Sequence, residues 1–178
     1  MIKKSIKRNA YLFASFCFHT LLKMTPFNIM RIILLKLAGV RVSSSSYIGR
    51  GVIFDFPWRL SIGKNCHISS GVYLDCRGGT IDIEDCVNIS TDAIIYTLSH
   101  DIYSRDFKVK FGNIQIESFS WVCARSILLP KSTLEKGSVL AANSVFMGRS
   151  NKYTLYRGNP ACEVSKLPSF RAKETLID

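Results

Sequence analysis

The sequence predicts an all-β chain wound as a parallel β-helix of hexapeptide repeats, with a helical N-terminal segment and one extruded loop. Large apolar residues recur every six positions at Ile116, Val122, Leu128, Leu134, Leu140 and Phe146. A serine follows each by four: Ser120, Ser126, Ser132, Ser138, Ser144 and Ser150. The same register runs upstream, through Ile62, Ile68 and Leu74 with Cys66 and Val72 as small partners. After a three-residue slip it resumes at Ile83, Ile89 and Ile95, with Val87 and Ala93. All twelve large positions are apolar in a chain that is 47% apolar, a coincidence on the order of one in ten thousand.

A helix would space its apolar residues by three and four, and a half-buried strand would alternate. A period of six fits a chain that turns a corner every sixth residue, so that three short strands close one triangular coil. The large residue fills the interior of the prism, and the small residue fits a tight corner. Each coil buries its interior against the next at roughly 4.8 Å per layer.

Taken in order, residues 1–41 are built differently. Lys3, Lys4, Lys7 and Arg8 precede the apolar run Tyr11–Phe18, then Leu21, Leu22 and Met24. Pro26 breaks this helix, and a second helical pattern over 27–37 closes at Gly39. A basic start with a short apolar run also opens secretory signals, but no small-residue cleavage site follows. A membrane-spanning helix needs about 20 unbroken apolar residues, and His19, Lys23, Asn28 and Arg31 interrupt this one. Two placements stay open: the helices cover the β-helix, or they lie on a membrane surface.

The charge pattern bears on that choice. Net charge is +11, and residues 1–54 carry nine Lys or Arg and no acid. A basic, apolar end points to peripheral contact with a membrane rather than to nucleic acid, for which no binding module is present. Six cysteines show neither a CxxC pair nor metal-ligand spacing, and with no secretory signal they predict a reduced cytoplasmic compartment.

Residues 42–165 form the expected β-helix domain. Its first coil, around Tyr47–Ile53, is imperfect, and Phe56-Pro57-Trp58 interrupts before Leu60 starts the regular register. The slip falls at Asp75–Thr80, where the adjacent Gly78 and Gly79 allow positive φ and a small bulge or turn. The longer break lies between Ile95 and Ile116, and a loop extruded from a coil is where such proteins place their function. His100, one of three histidines, stands at the root of that loop and is the candidate catalytic residue. Gly158-Asn-Pro160 signals the end of the coils, before a polar tail over 166–178. Arg149, Lys152, Arg157 and Lys166 gather around this turn as candidate contacts for phosphates.

The coils, Thr97-Leu-Ser-His-Asp101, Trp121-Val-Cys-Ala-Arg125 and Gly158-Asn-Pro-Ala161 together resemble the hexapeptide-repeat O-acetyltransferases. That family includes maltose, galactoside, colanic-acid and other surface-polysaccharide acetyltransferases. Pro57-Trp-Arg-Leu-Ser-Ile-Gly63 and Leu74-Asp-Cys-Arg-Gly-Gly79 are similar to the polysaccharide branch in particular. The resemblance covers residues 47–165. It implies a left-handed β-helix, a homotrimer, and acetyl-CoA as co-substrate in a groove between subunits, with no metal. It further implies transfer of acetyl to a sugar hydroxyl in bacterial capsule, O-antigen or exopolysaccharide biosynthesis.

By position, His100 matches the family's general base, and Ala124 and Ala142 match backbone contacts to the pantetheine. Trp121 matches an aromatic lining the groove. Asp75, Asp92 and Asp101 are the candidate acceptor contacts, and Asp101 is also a candidate to orient the imidazole. Two departures stand out: Asp92 occupies a position where relatives often have Asn, and Gly148 replaces an expected basic residue, with Arg149 beside it.

A sugar hydroxyl is a poor nucleophile at neutral pH, and a neutral imidazole is well matched to removing its proton. Cys123 could form an acyl-enzyme, but a cysteine in a coil wall is expected to pack. The competing class is a non-catalytic, membrane-associated β-helix scaffold, which would not need His100. A zinc-dependent carbonic anhydrase on the same fold needs three converging histidines, and one of the three here lies in the helical segment.

Overall fold

The computed structural model describes the backbone from residue 2 to residue 169; the side chains of residues 1–8 and 10, and all of residues 170–178, lie outside the described residues. The basic side chains of Lys3, Lys4, Lys7 and Arg8, and most of the 166–178 tail, are therefore not placed. Two helices, α1 (Ile2–Met24) and α2 (Asn28–Leu37), precede a stack of short strands.

The strands form three walls. The first wall stacks Arg41–Val42, Leu60–Ile62, Ile81–Ile83, Ile114–Ile116 and Thr133–Leu134. The second stacks Tyr47–Ile48, His67–Ile68, Asn88–Ile89, Trp121–Val122, Val139–Leu140 and Thr154–Gly158. The third stacks Ile53–Asp55, Tyr73–Asp75, Ile94–Tyr96, Ile127–Leu128 and Val145–Phe146. All these pairings are parallel and in register, so each coil lies directly over the last. At the far end the chain reverses, and Ala161–Lys166 pairs antiparallel with Thr154–Gly158.

All twelve large residues of the repeat are buried in one continuous core. The ten small partners, from Cys66 to Ser150, are buried as well. Steric fit is only part of their role. The Ser126 hydroxyl donates to the Cys123 carbonyl at 2.6 Å, Ser132 to Leu129 at 2.6 Å and Ser138 to Asn151 at 2.6 Å. The Cys123 and Leu129 carbonyls also accept the backbone N–H of the same serine, at 3.3 and 3.2 Å, so hydroxyl and N–H close each of these corners together.

One residue before every small partner except Ser150, the backbone turns through the left-handed region. Asn65, Cys86, Asp92, Phe119, Arg125, Lys131 and Asn143 all have φ between 53° and 70°. Only three of these seven are Asn or Asp, the non-glycine residues that tolerate this region best. The parallel ladder fixes the conformation against local preference.

The helices dock on the first coils through polar anchors as well as through buried Leu22, Ile32 and Leu35. Arg31 is buried, and it donates to the carbonyls of Ile48 and Thr25, each at 2.7 Å. Asn28 donates to the Ser46 carbonyl and accepts from the Ile48 N–H. His19 accepts the Phe54 N–H on Nε2 at 3.1 Å. The opposite face stays open: Leu12, Phe13, Phe16, Met24, Phe27, Met30, Ile33 and Leu37 are exposed. Among the described residues no helix is long and apolar enough to cross a membrane.

Two substitutions separate the two roles of a corner serine. Ser126→Ala should cost about 1 kcal/mol through the lost hydrogen bond, whereas Ser126→Leu should prevent coil closure and lower stability by several times that amount. Denaturant unfolding of both variants would show the difference.

Candidate functional site

The three interruptions of the repeat all fall on one edge of the prism, where the third wall passes to the first wall of the next coil. Phe56–Arg59 occupies that edge after the first coil, with a 3-10 turn at Pro57–Arg59. Cys76–Thr80 occupies it after the second coil, and Thr97–Asn113 after the third. The longest excursion is a β-hairpin rather than an irregular loop, with Leu98–His100 antiparallel to Val109–Phe111 and His100 opposite Val109.

The hairpin is clamped at its root. Thr97 is buried; its hydroxyl donates to the Asp75 carbonyl at 2.6 Å and accepts the Gly78 N–H at 2.9 Å. A Cβ on Gly78 would lie 2.2 Å from the Thr97 carbonyl oxygen, and one on Gly79 would lie 3.1 Å from the backbone of Gly112 and Asn113. Neither glycine has positive φ. This corrects the expectation drawn from sequence: the pair is there for close backbone approach, not for a left-handed turn.

His100 is exposed, and its Nδ1 donates to the Phe107 carbonyl at 2.7 Å across the hairpin. A carbonyl can only accept, so Nδ1 carries the proton of the neutral ring and Nε2 keeps its lone pair. Asp101 does not orient the ring. Its carboxylate accepts the Tyr103 N–H at 3.0 Å and pairs with Lys110 at 3.2 Å, and these contacts hold its pKa below the ordinary value. Sequence spacing could not reveal the Phe107 carbonyl as orienter, because every residue carries one. The alternation in Phe107-Lys-Val-Lys-Phe111 is the signal that would mark the returning strand, inside a segment expected from sequence to be a loop.

The other candidates divide between edges. Ala124 and Ala142 lie one above the other where the second wall passes to the third, and the Asn143 N–H donates to the Ala124 carbonyl. Arg157 lies on the second wall of the coil above, and Trp121 lies on the same wall with its indole N–H on the Ser90 hydroxyl at 2.7 Å. Asp92 belongs to this second edge too, in a left-handed turn 3.8 Å from Arg125. The basic residues near the final turn do not form one patch. Arg149 pairs with Glu135 at 2.6 Å, and Lys166 pairs with Glu163 at 3.1 Å. Lys152 stands at the turn between the first and second walls. The three histidines sit on α1, the second wall and the hairpin, each with its own partner, so they do not converge.

Asp75 is fully buried, and its two oxygens accept Nε and Nη2 of Arg77 at 2.9 and 2.8 Å. This closes the carboxylate off within the protomer, so Arg77 rather than Asp75 presents a polar group to solvent. Burial pushes the Cys76 thiol up to about 12 and the Cys66 thiol up to about 11, so both are inert packing groups.

No family model matches the sequence. A Staphylococcus aureus (strain Mu50) protein named as an acetyltransferase is 32% identical over 127 residues, which is 70% of this chain and 63% of that protein. An Escherichia coli (strain K12) protein named as a colanic acid biosynthesis acetyltransferase is 29% identical over 131 residues, 74% of this chain and 71% of that one. The likeness is to hexapeptide-repeat acetyltransferases. The chain spans somewhat less than two thirds of the Staphylococcus relative, 63%.

Solved structures agree on the fold. A Vibrio cholerae hexapeptide-repeat acetyltransferase, complexed with acetyl-CoA, superposes with a TM-score of 0.79 at 23% identity, over 87% of this chain and 86% of that one. A Clostridium difficile maltose O-acetyltransferase gives 0.79 at 19% identity, over 88% and 86%.

The glycine clamp has a direct test. Gly78→Ala should push Thr97 and the hairpin root outward, and hydrogen exchange should show lost protection at the Gly112 N–H, which donates to the Thr97 carbonyl at 3.0 Å.

Proposed function

We propose that this chain transfers an acetyl group from acetyl-CoA to a sugar hydroxyl, with His100 as general base, in the making of a bacterial surface polysaccharide. The observation that carries this reading is the state of His100: Nδ1 is held by a backbone carbonyl, and the ring is exposed on the last strand pair of the hairpin, opposite Val109. Nε2 takes the proton of the acceptor hydroxyl as its oxygen attacks the thioester carbonyl. The carbon–sulfur bond then breaks, and the proton passes to the departing thiolate. The acetyl-CoA complex of the Vibrio relative and the colanic-acid name of the Escherichia relative support donor and acceptor class.

Ala124, Ala142, Trp121 and Arg157 would line the donor site along the second edge, with Lys152, Arg149 and Lys166 as further cations near the end of the stack. His100 lies on the third edge, across the third wall from that line. Bringing the two together calls for a second copy of the chain at each groove, which is the role we assign to a homotrimer. Asp92 and Asp101 remain acceptor-side candidates, and Asp75 acts by holding Arg77.

His100→Ala should lower turnover by roughly 10²–10⁴-fold, the usual worth of a positioned acid–base group. CoA binding should be unchanged, and His67→Ala should do little. The assay is thiol release from acetyl-CoA with a panel of sugars and nucleotide sugars, and a fully active His100→Ala would refute the assignment.

We also assign the exposed apolar face of α1 and α2 to the inner surface of the cytoplasmic membrane. Its exposed Phe, Leu, Met and Ile side chains, and a first third with nine basic residues and no acid, suit an anionic lipid surface. Flotation with vesicles should need anionic lipid and weaken with salt, and paired Phe13→Ser and Phe16→Ser substitutions should abolish it.

A further inference from the structure

The peptide that holds His100 is itself held. The imidazole bonds to the Phe107 carbonyl at 2.7 Å, and that carbonyl shares one planar peptide unit with the Lys108 N–H. In a trans peptide the C=O and the N–H point in opposite directions, so whatever fixes the Lys108 N–H also aims the Phe107 oxygen. The Ser104 hydroxyl fixes it, accepting the Lys108 N–H at 2.6 Å and donating to the Asp101 carbonyl at 3.0 Å.

Ser104 is also where the two turns of the hairpin tip meet. Its N–H donates to the Asp101 carbonyl at 3.2 Å, and its own carbonyl accepts the Phe107 N–H at 3.1 Å. The Asp101 carboxylate stiffens the first turn through the Tyr103 N–H, and the Asp101 N–H donates to the Lys108 carbonyl at 2.7 Å. Ser104 is half-buried, whereas Ile102, Tyr103 and Phe107 around it point to solvent. With those side chains exposed, hydrogen bonds rather than packing set the geometry of the tip. Phe107 needs such a hold, because its backbone lies in the left-handed region at φ 46°, which a bulky side chain disfavours. Relaxation of that residue would turn its carbonyl away from the ring.

We propose that Ser104 is a positioning residue for His100: through the Phe107–Lys108 peptide it keeps the proton of the neutral ring on Nδ1 and leaves Nε2 bare. The inference rests on the reading of His100 as general base and adds the group that sets its working form. Two effects run the same way. The hydroxyl holds the peptide plane so that the carbonyl meets Nδ1, and its bond to the Lys108 N–H polarises the amide, which makes that carbonyl a better acceptor. The position asks for an acceptor and a donor on one short side chain, which a serine hydroxyl supplies. Asp101 takes part in this chain of bonds through its backbone carbonyl, not by touching the imidazole.

The test is nitrogen-15 NMR of the neutral His100 ring in the full chain without substrate, with rates of thiol release from acetyl-CoA measured on the same variants. Ser104→Ala should move the ring toward the Nε2–H form and lower kcat roughly 5- to 10-fold, the worth of one orienting hydrogen bond, with KM for acetyl-CoA unchanged. Ser104→Thr keeps the hydroxyl and should restore both. Ser104→Cys fills the same space with a poor acceptor and should follow alanine, which tells a lost hydrogen bond from a packing defect. Hydrogen exchange at the Gly112 N–H, which donates to the Thr97 carbonyl, should stay as in wild type because the hairpin remains seated. A wild-type tautomer in Ser104→Ala would overturn the proposal, as would an unseated hairpin or a threonine variant no better than alanine. The tautomer shift in Ser104→Ala, found in a chain whose wild type transfers no acetyl group, would leave the positioning role standing and remove the transferase reading instead.

Discussion

The structure depends on closure in register: every coil must return its apolar residue to the same interior line as the one below. The bonds from the Trp121 N–H to the Ser138 carbonyl and from the Ile127 N–H to the Ser144 carbonyl form only if each circuit ends one layer up without lateral drift. The price is paid at the corners, where residues as unsuited as Phe119, Arg125 and Lys131 take a left-handed backbone. Buried serine hydroxyls reinforce those corners by donating to nearby carbonyls. A coil built this way has no room for an extra residue in its walls, so any insertion must leave through an edge.

That requirement explains why the chemistry gathers where it does. The three interruptions leave through the same edge, and their stacking places Trp58, Arg77 and the root of the His100 hairpin in one column. Rigidity passes upward through short contacts. Buried Asp75 holds Arg77, the Asp75 carbonyl holds Thr97, and Gly78 lets Thr97 approach closely enough to seat the hairpin. A functional group on an extruded segment is thereby supported by a rigid scaffold rather than by the segment alone.

The interior of the fold was legible because its signal is compositional: all twelve large positions of the repeat are buried, as their period required. The left-handed corner residues were not, because the ladder imposes that conformation on whatever side chain stands there. Gly78 and Gly79 announced themselves, but their purpose could not be told without the backbone of Thr97 above them. Trp58 and Arg77 stood in motifs that marked the polysaccharide branch, yet their alignment with the root of the hairpin requires knowing that the breaks share an edge. Asp75 and Asp101 looked like free acceptor ligands until burial and their partners, Arg77 and Lys110, came into view.

The helical segment fits the same logic from the other end. Arg31, Asn28 and His19 bond to the backbone of the first coil, so the packed face is fully engaged and the opposite face keeps its exposed apolar residues. The role of His100 as base turns on one proton, and nitrogen-15 NMR of the histidine side chains locates it most directly. The structure predicts that neutral His100 carries its proton on Nδ1, held by the Phe107 carbonyl, with an unprotonated Nε2 open to the acceptor. A neutral His100 protonated on Nε2 would contradict it, because the exposed nitrogen could then take no proton from a sugar.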